Sequence, residues 1–278
     1  MLGLIANEEQ KEKYLAPMLR GETRSCFSMT EPQPGAGSDP TALRTFAMPD
    51  GSGGYLIFGE KWLITGAVGA KFTIIMAKTL DEKGADVGAS MFLAPMDSPD
   101  ISTVRVLDTM DSSFTGGHAH LRFEGLRVGP EAILGEVGKG FKYAQVRLAP
   151  ARLTHCMRWL GAARRAHDTA VAYANKRESF GRQLIDHQGV SFQLADNLID
   201  MQLARLAIWH TAWTLDQGGD ARRESSLSKV ACSEAIYRTV DRSLQVLGGT
   251  GVTAETEVST SCLEHLQACP LLSCMSSH

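Results

Sequence analysis

The chain has 278 residues, of which 44% are hydrophobic and 21% are charged, and its formal net charge is −3. This length supports a large core in one or two domains, and the charge balance excludes a strongly basic surface built for nucleic acid. No run of about 18 apolar residues occurs, so we expect no transmembrane helix. Six cysteines without metal-like spacing indicate reduced, packed thiols rather than a disulfide framework.

The first predicted element is a helix over residues 3–20. Asn7 is a candidate N-cap with two acidic residues directly after it, and Gly21 ends the pattern. Most of the surface of this helix is polar, and a helix of this length is marginal in isolation. We therefore expect it to depend on packing against the residues that follow.

Residues 25–128 contain short apolar runs between turn residues, a pattern typical of β-strands. Residues 50–54 predict a hairpin loop, and residues 55–65 predict a strand, a turn and a second strand. Further strands are predicted at 72–77, 89–95 and 118–123. Short strands at this spacing favour a central β-barrel or β-sandwich.

After Pro130 the pattern changes to three long helices, which end near residues 176, 216 and 247. The second is predicted to begin near residue 186 and the third near residue 224. Residues at helical spacing along the three helices are Leu153, Met157, Leu160, Gly161 and Arg164; Leu194, Leu198, Met201, Ala204, Ile208 and Trp209; and Val230, Ala231, Ala235, Ile236, Val240 and Leu244. Strands followed by a helical bundle predict an α+β fold.

The loop over residues 25–40, Ser-Cys-Phe-Ser-Met-Thr-Glu-Pro-Gln-Pro-Gly-Ala-Gly-Ser-Asp-Pro, has the most distinctive composition in the chain. Two prolines remove backbone donors, and Gly35 and Gly37 allow a ligand to approach the backbone closely. An ordinary Pro/Gly loop is one interpretation. The stretch also resembles the Thr-Glu-Pro-Gly-Ala-Gly-Ser-Asp signature of the acyl-CoA dehydrogenase family, with Gln33-Pro34 as a small insertion.

Further motifs match this family in the same chain order. The segment 62–65, Trp-Leu-Ile-Thr, is similar to its Trp-Ile-Thr segment, although Leu63 stands where many members carry tryptophan. The segment 177–188 is similar to its Arg-x-x-Phe-Gly-x-x-Leu-x-x-His-Gln corner, which on residue types alone is a basic helix end, a turn and a new helix. The segment 245–249, Gln-Val-Leu-Gly-Gly, matches too, although by itself it indicates a helix C-cap.

The resemblance extends from residue 7 to about residue 252, so the chain is identified as a member of this family. The run from Arg152 to Arg158 is most similar to the branch of family members 10 and 11. The resemblance implies a remnant of an N-terminal helical domain at 1–22, whose remainder is missing, and a middle β domain at 23–134. It implies a C-terminal helical domain at 135–252, and residues 253–278 form an atypical Ser- and Cys-rich tail.

FAD is the cofactor that the resemblance implies. The implied cofactor-binding residues are Phe27, Met29, Thr30, Ser38, Thr65, Arg177, Phe180, Gln188, Gln245, Gly248 and Gly249, and the implied substrate-binding residues are Ser38 and Arg152. Arg177 also has a physical basis, since a guanidinium offers a fork to a pyrophosphate. Arg152 near a helix start is unfavourable for the helix dipole, so a negative partner or simple surface exposure would explain it. No metal site is expected, because the His118, His120, His155 and Cys156 candidates lack ligand spacing.

The implied reaction is α,β-dehydrogenation of an acyl-CoA thioester to a trans-2-enoyl-CoA. A carboxylate removes the α-proton while the flavin takes the β-hydride. Some members carry this carboxylate one residue before the arginine, where this chain has Ala151; others carry it at a place that corresponds to Leu272. Glu264 is the nearest acid and the substitute candidate, so we expect impaired catalysis.

The resemblance also implies partners. The 177–188 corner and the Gly pair are expected to reach the FAD of a neighbouring subunit, which requires a homodimer or homotetramer. Electron-transferring flavoprotein is the expected electron acceptor. The expected location of this chain is the mitochondrial matrix or the bacterial cytoplasm. Two alternatives remain: a non-catalytic dimerisation or assembly module, and an acyl-CoA oxidase-like enzyme in which oxygen replaces the protein acceptor.

Overall fold

The computed structural model describes residues 1–37, 39–109 and 116–259. The chain divides into two compact units, Met1–Arg147 and Leu148–His278. The first contains short N-terminal helices and a β-sheet, and the second contains long helices. The predicted order of strands followed by helices is therefore confirmed.

The N-terminal helical segment is divided rather than continuous. It consists of α1 (Leu2–Ile5), α2 (Glu8–Gln10), a π-helical stretch (Lys11–Leu15) and α3 (Ala16–Leu19). Asn7 caps α2 as predicted: its side chain accepts from the Gln10 backbone N–H at 2.8 Å, and the Gln10 side chain accepts from the Asn7 N–H in return. This cap separates α1 from the rest of the segment.

Seven strands form one mixed sheet in the first unit. They are β1 (Ser25–Ser28), β2 (Phe46–Pro49), β3 (Tyr55–Thr65), β4 (Phe72–Leu80), β5 (Asp86–Pro95), β6 (Ile101–Leu107) and β7 (His118–Val128). β1 and β2 both pair parallel with β4, along different parts of its length, while β5 pairs antiparallel with β4. β3 pairs antiparallel with β2 and β7, and β6 pairs antiparallel with β7.

Two details of the sheet differ from the sequence prediction. Among the described strands, β5 and β6 do not pair with each other, so the sheet is not a closed barrel. Residues 55–65 form one long strand rather than two, because Gly59 pairs with Phe123 of β7 and the ladder continues through two register shifts, at Ile57/Phe58 and Lys61/Ile64. The buried core of the sheet includes Ile57, Ile75 and Phe92.

The three predicted helices are present as α4 (Gly140–Ala174), α5 (Gln188–Asp216) and α6 (Arg222–Leu247). A short hairpin, β8 (Glu178–Ser179) and β9 (Arg182–Gln183), connects α4 to α5. α4 begins in the first unit and continues into the second. Cys156, Met201 and Ile236, one from each helix, belong to the buried core of the second unit.

The predicted helical stripes are only partly correct. Leu194, Met201, Ala204 and Ile208 are buried along α5, whereas Leu198 and Trp209 are 56% and 60% exposed. Residues at helical spacing that are also exposed are Met157, Gly161, Arg164, Val230 and Ala231. The reason is that α5 carries apolar residues on more than one face, so the helical period alone does not identify the face that packs.

Candidate functional site

In the first unit, Thr30 is held against the end of β3. The Trp62 backbone N–H donates to the Thr30 carbonyl at 2.9 Å, and the Thr30 hydroxyl donates to the Trp62 carbonyl. These two bonds place Thr30, one of the residues predicted to bind the cofactor, beside the strand that ends at Thr65. Thr65 itself is exposed, and its hydroxyl lies 2.9 Å from His118 Nδ1.

The residues next to Thr30 and Trp62 in the sequence, Glu31 and Lys61, form a buried ion pair. Lys61 Nζ lies 2.9 Å from Glu31 Oε1, and the two side chains are 0% and 2% exposed. The Glu31 carboxylate also accepts backbone N–H bonds from Ala36, Arg44 and Thr45 at 3.1, 2.7 and 2.9 Å. One carboxylate therefore fixes the entry and exit of the Pro/Gly loop.

The ion pair also reaches the strand end that carries the predicted flavin residues, because Lys61 Nζ donates to the Met29 carbonyl at 2.9 Å. Burial lowers the pKa of Lys61 to about 8, and the attraction of Glu31 opposes that shift. Burial raises the pKa of Glu31, but the charge of Lys61 and the hydrogen bonds from Thr45, Lys61 and Arg44 outweigh it and hold the pKa below the ordinary 4.5. Both groups are therefore charged at neutral pH.

The tryptophan displaced in the sequence lies at a strained point of β3. Leu63 has a φ of 58°, in the left-handed region that a leucine rarely adopts. Strain of this kind persists where surrounding structure holds it, often at functional sites. The Trp62 ring lies against Arg105, whose guanidinium carbon is 5.6 Å from the ring centroid, and edge-on to His120.

Phe27 and Met29 are partly buried near the end of β1. The Arg147 guanidinium carbon lies 5.1 Å from the centroid of the Phe27 ring, a cation–π arrangement. Ser38, predicted to contact both cofactor and substrate, lies outside the described residues, as do Glu264 and Leu272.

In the second unit, one cavity of about 370 Å³ joins four residues that were predicted to bind the cofactor. Arg177 comes from the segment after α4, Gln245 from α6, and Gly248 and Gly249 from the turn after α6. The remaining wall consists of Tyr173, Ser179, Leu184, Val190, Gln193, Val246 and Leu247. Packing of the two helix ends against α5 thus brings together motifs that are distant in sequence.

The β8–β9 hairpin forms the outer edge of this region. Its two central residues, Phe180 and Gly181, have φ angles of 52° and 77°, as a type I′ turn requires. Glycine adopts this conformation freely, but phenylalanine is strained in it. The Phe180 side chain is 95% exposed, and His187, whose ring Nε2 lies 3.0 Å from the Ser179 carbonyl, supports the hairpin. The hairpin therefore presents an aromatic ring to the outside.

The Gly pair leaves its backbone open. α6 ends at Leu247 and Gly248 follows with a φ of 56°. No heavy atom lies within 4 Å of a Cβ built at either Gly248 or Gly249, so a bound molecule can approach this backbone closely. By contrast, Phe180 and Gln188 do not line the cavity. Gln188 is exposed at the start of α5.

Arg152 does not lie near the start of a helix. α4 begins at Gly140, so Arg152 is more than three turns inside it, and the argument from the helix dipole does not apply. The residue is 7% exposed, and its guanidinium lies 3.4 Å from the Ser226 hydroxyl oxygen. Burial, and then the nearby charge of Arg222, lower its pKa.

Several site residues were missed at the sequence level. Tyr173 precedes the predicted residue Arg177 by one helical turn, so helical spacing could have found it, whereas Gln193 gave no such signal. Lys61 gave no signal, because a lysine within a strand is normally solvated. Cys26, Cys156 and Cys232 are free and buried, as predicted.

Two absences apply to the described ranges. No cluster of three metal-ligating side chains occurs within residues 1–37, 39–109 and 116–259. None of the helices in these ranges combines the length and apolar character that crossing a membrane requires.

Two family models match the chain: "Acyl-CoA dehydrogenase, middle domain" over residues 26–126 and "Acyl-CoA dehydrogenase, C-terminal domain" over residues 138–266. Acyl-CoA dehydrogenase family member 11 from Gallus gallus is 38% identical over 92% of this chain. Probable acyl-CoA dehydrogenase FadE2 from Mycobacterium tuberculosis is 36% identical over 93% of it. The chain spans 34% of the first protein and 64% of the second.

Solved structures show the same similarity. A structure from Mycobacterium abscessus described as an acyl-CoA dehydrogenase is 32% identical, with a TM-score of 0.88, and the match covers 99% of this chain and 70% of that one. A structure of PigA with FAD and proline is 26% identical, also with a TM-score of 0.88, and the match covers 96% and 69% of the two chains.

Proposed function

This chain belongs to the acyl-CoA dehydrogenase family, and we propose that it binds FAD and serves the α,β-dehydrogenation of acyl-CoA thioesters. The observation that carries the proposal is the cavity that joins Arg177, Gln245, Gly248 and Gly249. The similarity to the PigA structure with FAD supports the choice of cofactor. Electron-transferring flavoprotein as acceptor stays a prediction from the family resemblance.

The groups that line the cavity fit one end of a dinucleotide. A guanidinium binds phosphate oxygens with two parallel hydrogen bonds, the Gln193 and Gln245 amides offer donors and acceptors, and the open Gly-Gly backbone permits close approach. At about 30 Å³ for each water molecule, the volume of the cavity corresponds to roughly a dozen waters. It therefore takes part of the cofactor rather than all of it.

The residues of the first unit suit the other end of the cofactor. Thr30 is held by Trp62, and Met29 is held through its carbonyl by Lys61. Thr65 is exposed at the end of β3. We propose that this strand end positions the flavin ring, with the cavity and Phe180 of a neighbouring copy completing the site in a homodimer or homotetramer. The 95% exposure of Phe180 supports such a role.

FAD, when bound, accepts the hydride from the substrate β-carbon. The α-proton needs a carboxylate from the protein. Ala151 and Leu272, at the two places that the family resemblance indicates, carry none. We therefore propose that the chain binds flavin but removes the α-proton slowly or not at all. Glu264 is the acid nearest in sequence to the expected position. Arg152, buried within α4, is proposed to face the acyl-CoA.

Equilibrium titration of FAD against the purified protein, followed by the quenching of flavin fluorescence, tests the proposal. Arg177→Gln removes the charged fork, and hydrogen bonds to charged groups contribute about 1.5–3 kcal/mol, so FAD affinity is expected to fall roughly 10- to 100-fold. The matched control is Arg182→Gln. Arg182 is an exposed arginine of β9 that lies outside the cavity, so its substitution should change the FAD affinity less than about twofold. Equal losses in both variants, or no FAD binding by the parent, would overturn the proposal.

A second candidate function, a dimerisation module without turnover, is favoured by one observation. Phe192, Ile199, Leu206 and Trp213 recur every seven residues along α5 and are 47–64% exposed. This spacing places them near one face of the helix, as in helices that associate. Light scattering on FAD-free protein would favour this function if a stable dimer of the chain persists, and a monomer would oppose it.

A further inference from the structure

A second cleft, of about 220 Å³, lies between α4 and α5 in the second unit, and it shares no residue with the cavity described above. α4 contributes Arg164, His167 and Asp168, and α5 contributes Leu198, Met201, Gln202 and Arg205. The cleft therefore combines a cationic rim with an apolar floor.

Positive charge exceeds negative charge at this rim. The carboxylate of the cleft belongs to Asp168 and is already paired, because Asp168 Oδ2 lies 3.7 Å from Arg164 Nε. Arg205 is only partly exposed, and its side chain forms no ion pair or hydrogen bond with any residue in the described ranges. A guanidinium carries five N–H donors in a fixed fork. One cation of the cleft is therefore available to an anionic ligand.

His167 gives the second, independent observation. The residue is 6% exposed, and its Nδ1 is buried without a hydrogen-bond partner among the described residues. Buried polar groups in folded proteins nearly always have partners, and an unsatisfied one costs about 1–3 kcal/mol. Neutral imidazole carries one N–H donor and one acceptor nitrogen. His167 also lines the cleft, so its ring is placed to meet a ligand held there.

We propose that the α4–α5 cleft binds a compact oxyanion, a phosphate or a carboxylate, with Arg205 as its charge partner and His167 and Gln202 as hydrogen-bonding groups. The paired Asp168 disfavours a cation, because its charge is already neutralised by Arg164. The volume corresponds to about seven water shares, which is enough for phosphate or a small organic acid. Leu198 and Met201 give an organic anion an apolar surface to lie on.

The direct test is equilibrium dialysis of labelled inorganic phosphate against the full chain at constant ionic strength. The parent is expected to bind phosphate saturably, and Arg205→Gln is expected to weaken binding at least tenfold, since charge-assisted bidentate bonds are lost. Arg165→Gln is the matched control: it removes the same charge from α4, but at a residue paired with Glu257 outside the cleft, and should have less than a twofold effect.

Two further variants keep the result interpretable. His167→Asn retains polar groups with a different reach, and it should weaken phosphate binding severalfold even if Arg205→Gln proves unstable. Arg177→Gln identifies phosphate held by the first cavity, and it should leave the binding in this cleft unchanged. Dialysis of labelled acetate under the same conditions distinguishes the two classes: tighter binding of acetate than of phosphate identifies a carboxylate ligand, and the reverse identifies a phosphate.

Three outcomes would overturn the proposal. The first is the absence of saturable binding of either phosphate or acetate. The second is equal weakening by Arg205→Gln and Arg165→Gln, which would indicate general charge screening. The third is full retention of binding in both Arg205→Gln and His167→Asn.

Discussion

Replacing Glu31 by glutamine removes the negative charge from the buried ion pair with little change in shape. The substitution leaves the ammonium of Lys61, whose side chain is fully buried, without a charged partner, so that its acceptors are the neutral Met29 carbonyl and the new amide oxygen. It also turns an amide N–H₂ toward backbone donors, because in the parent both carboxylate oxygens of Glu31 accept backbone N–H bonds. The loop that these bonds hold is the one that carries the family signature.

The expected cost follows from the burial of Lys61. Removing one partner of a buried ion pair typically destabilises a protein by about 3–5 kcal/mol. We therefore expect Glu31→Gln to lower the free energy of unfolding by about 3–5 kcal/mol.

Lys61→Met should cost less than Glu31→Gln. After this substitution, the Glu31 carboxylate still accepts three backbone N–H bonds, and such bonds stabilise a buried carboxylate. The matched control is Glu60→Gln: Glu60 also pairs with basic side chains, but it is 34% exposed, so its loss should cost only about 0–1 kcal/mol.

Urea unfolding followed by far-UV circular dichroism, with tryptophan fluorescence as a second probe, measures these differences. If Glu31→Gln costs no more than Glu60→Gln, the buried charge does not need its partner. If Lys61→Met is more destabilising than Glu31→Gln, the backbone N–H bonds do not support the carboxylate.

Three other predictions concern stability. The Glu31 pKa is lower in the folded than in the unfolded protein, so its contribution is present above the ordinary 4.5 and is lost as the pH falls; urea titrations at pH 7 and pH 4 should show a smaller pH dependence in Glu31→Gln than in the parent. Asp200→Asn should cost about 1–2 kcal/mol by unfolding titration, because this largely buried carboxylate pairs with two arginines of α6. Gly35→Ala should lower the melting temperature, since its Cβ would lie 2.7 Å from the Glu31 Cβ, whereas Gly37→Ala, with no atom within 4 Å of its Cβ, should not; equal melting temperatures would contradict this.

The sequence specified the long helices well. The observed end of α6, Leu247, coincides with the predicted end, because a Gly pair follows an uninterrupted helical pattern. Strand lengths were less predictable, since Gly59 has the local signature of a turn although it pairs with Phe123 within the ladder. The β8–β9 hairpin could not be predicted from periodicity, because each strand contains only two residues.

The candidate site was predictable where motifs carry it and unpredictable where packing does. Arg177, Gln245 and the Gly pair were predicted from family motifs, and the fold brings them to one cavity. The ion pair of Lys61 and the cleft at His167 depend on burial that only the packed elements create. A single lysine in a strand or a single histidine in a helix gives no such signal, because each residue type is more often solvated or simply packed.

The visible absorbance spectrum of the chain, after incubation with FAD and removal of free flavin, tests the central claim most directly. We expect the parent to retain flavin bands, and we expect Arg177→Gln but not Arg182→Gln to lose them. Anaerobic addition of a medium-chain acyl-CoA should then bleach those bands slowly or not at all, because Ala151 and Leu272 supply no carboxylate. A chain that retains no flavin would contradict the proposed FAD site, and rapid bleaching would contradict the proposed lack of an effective base.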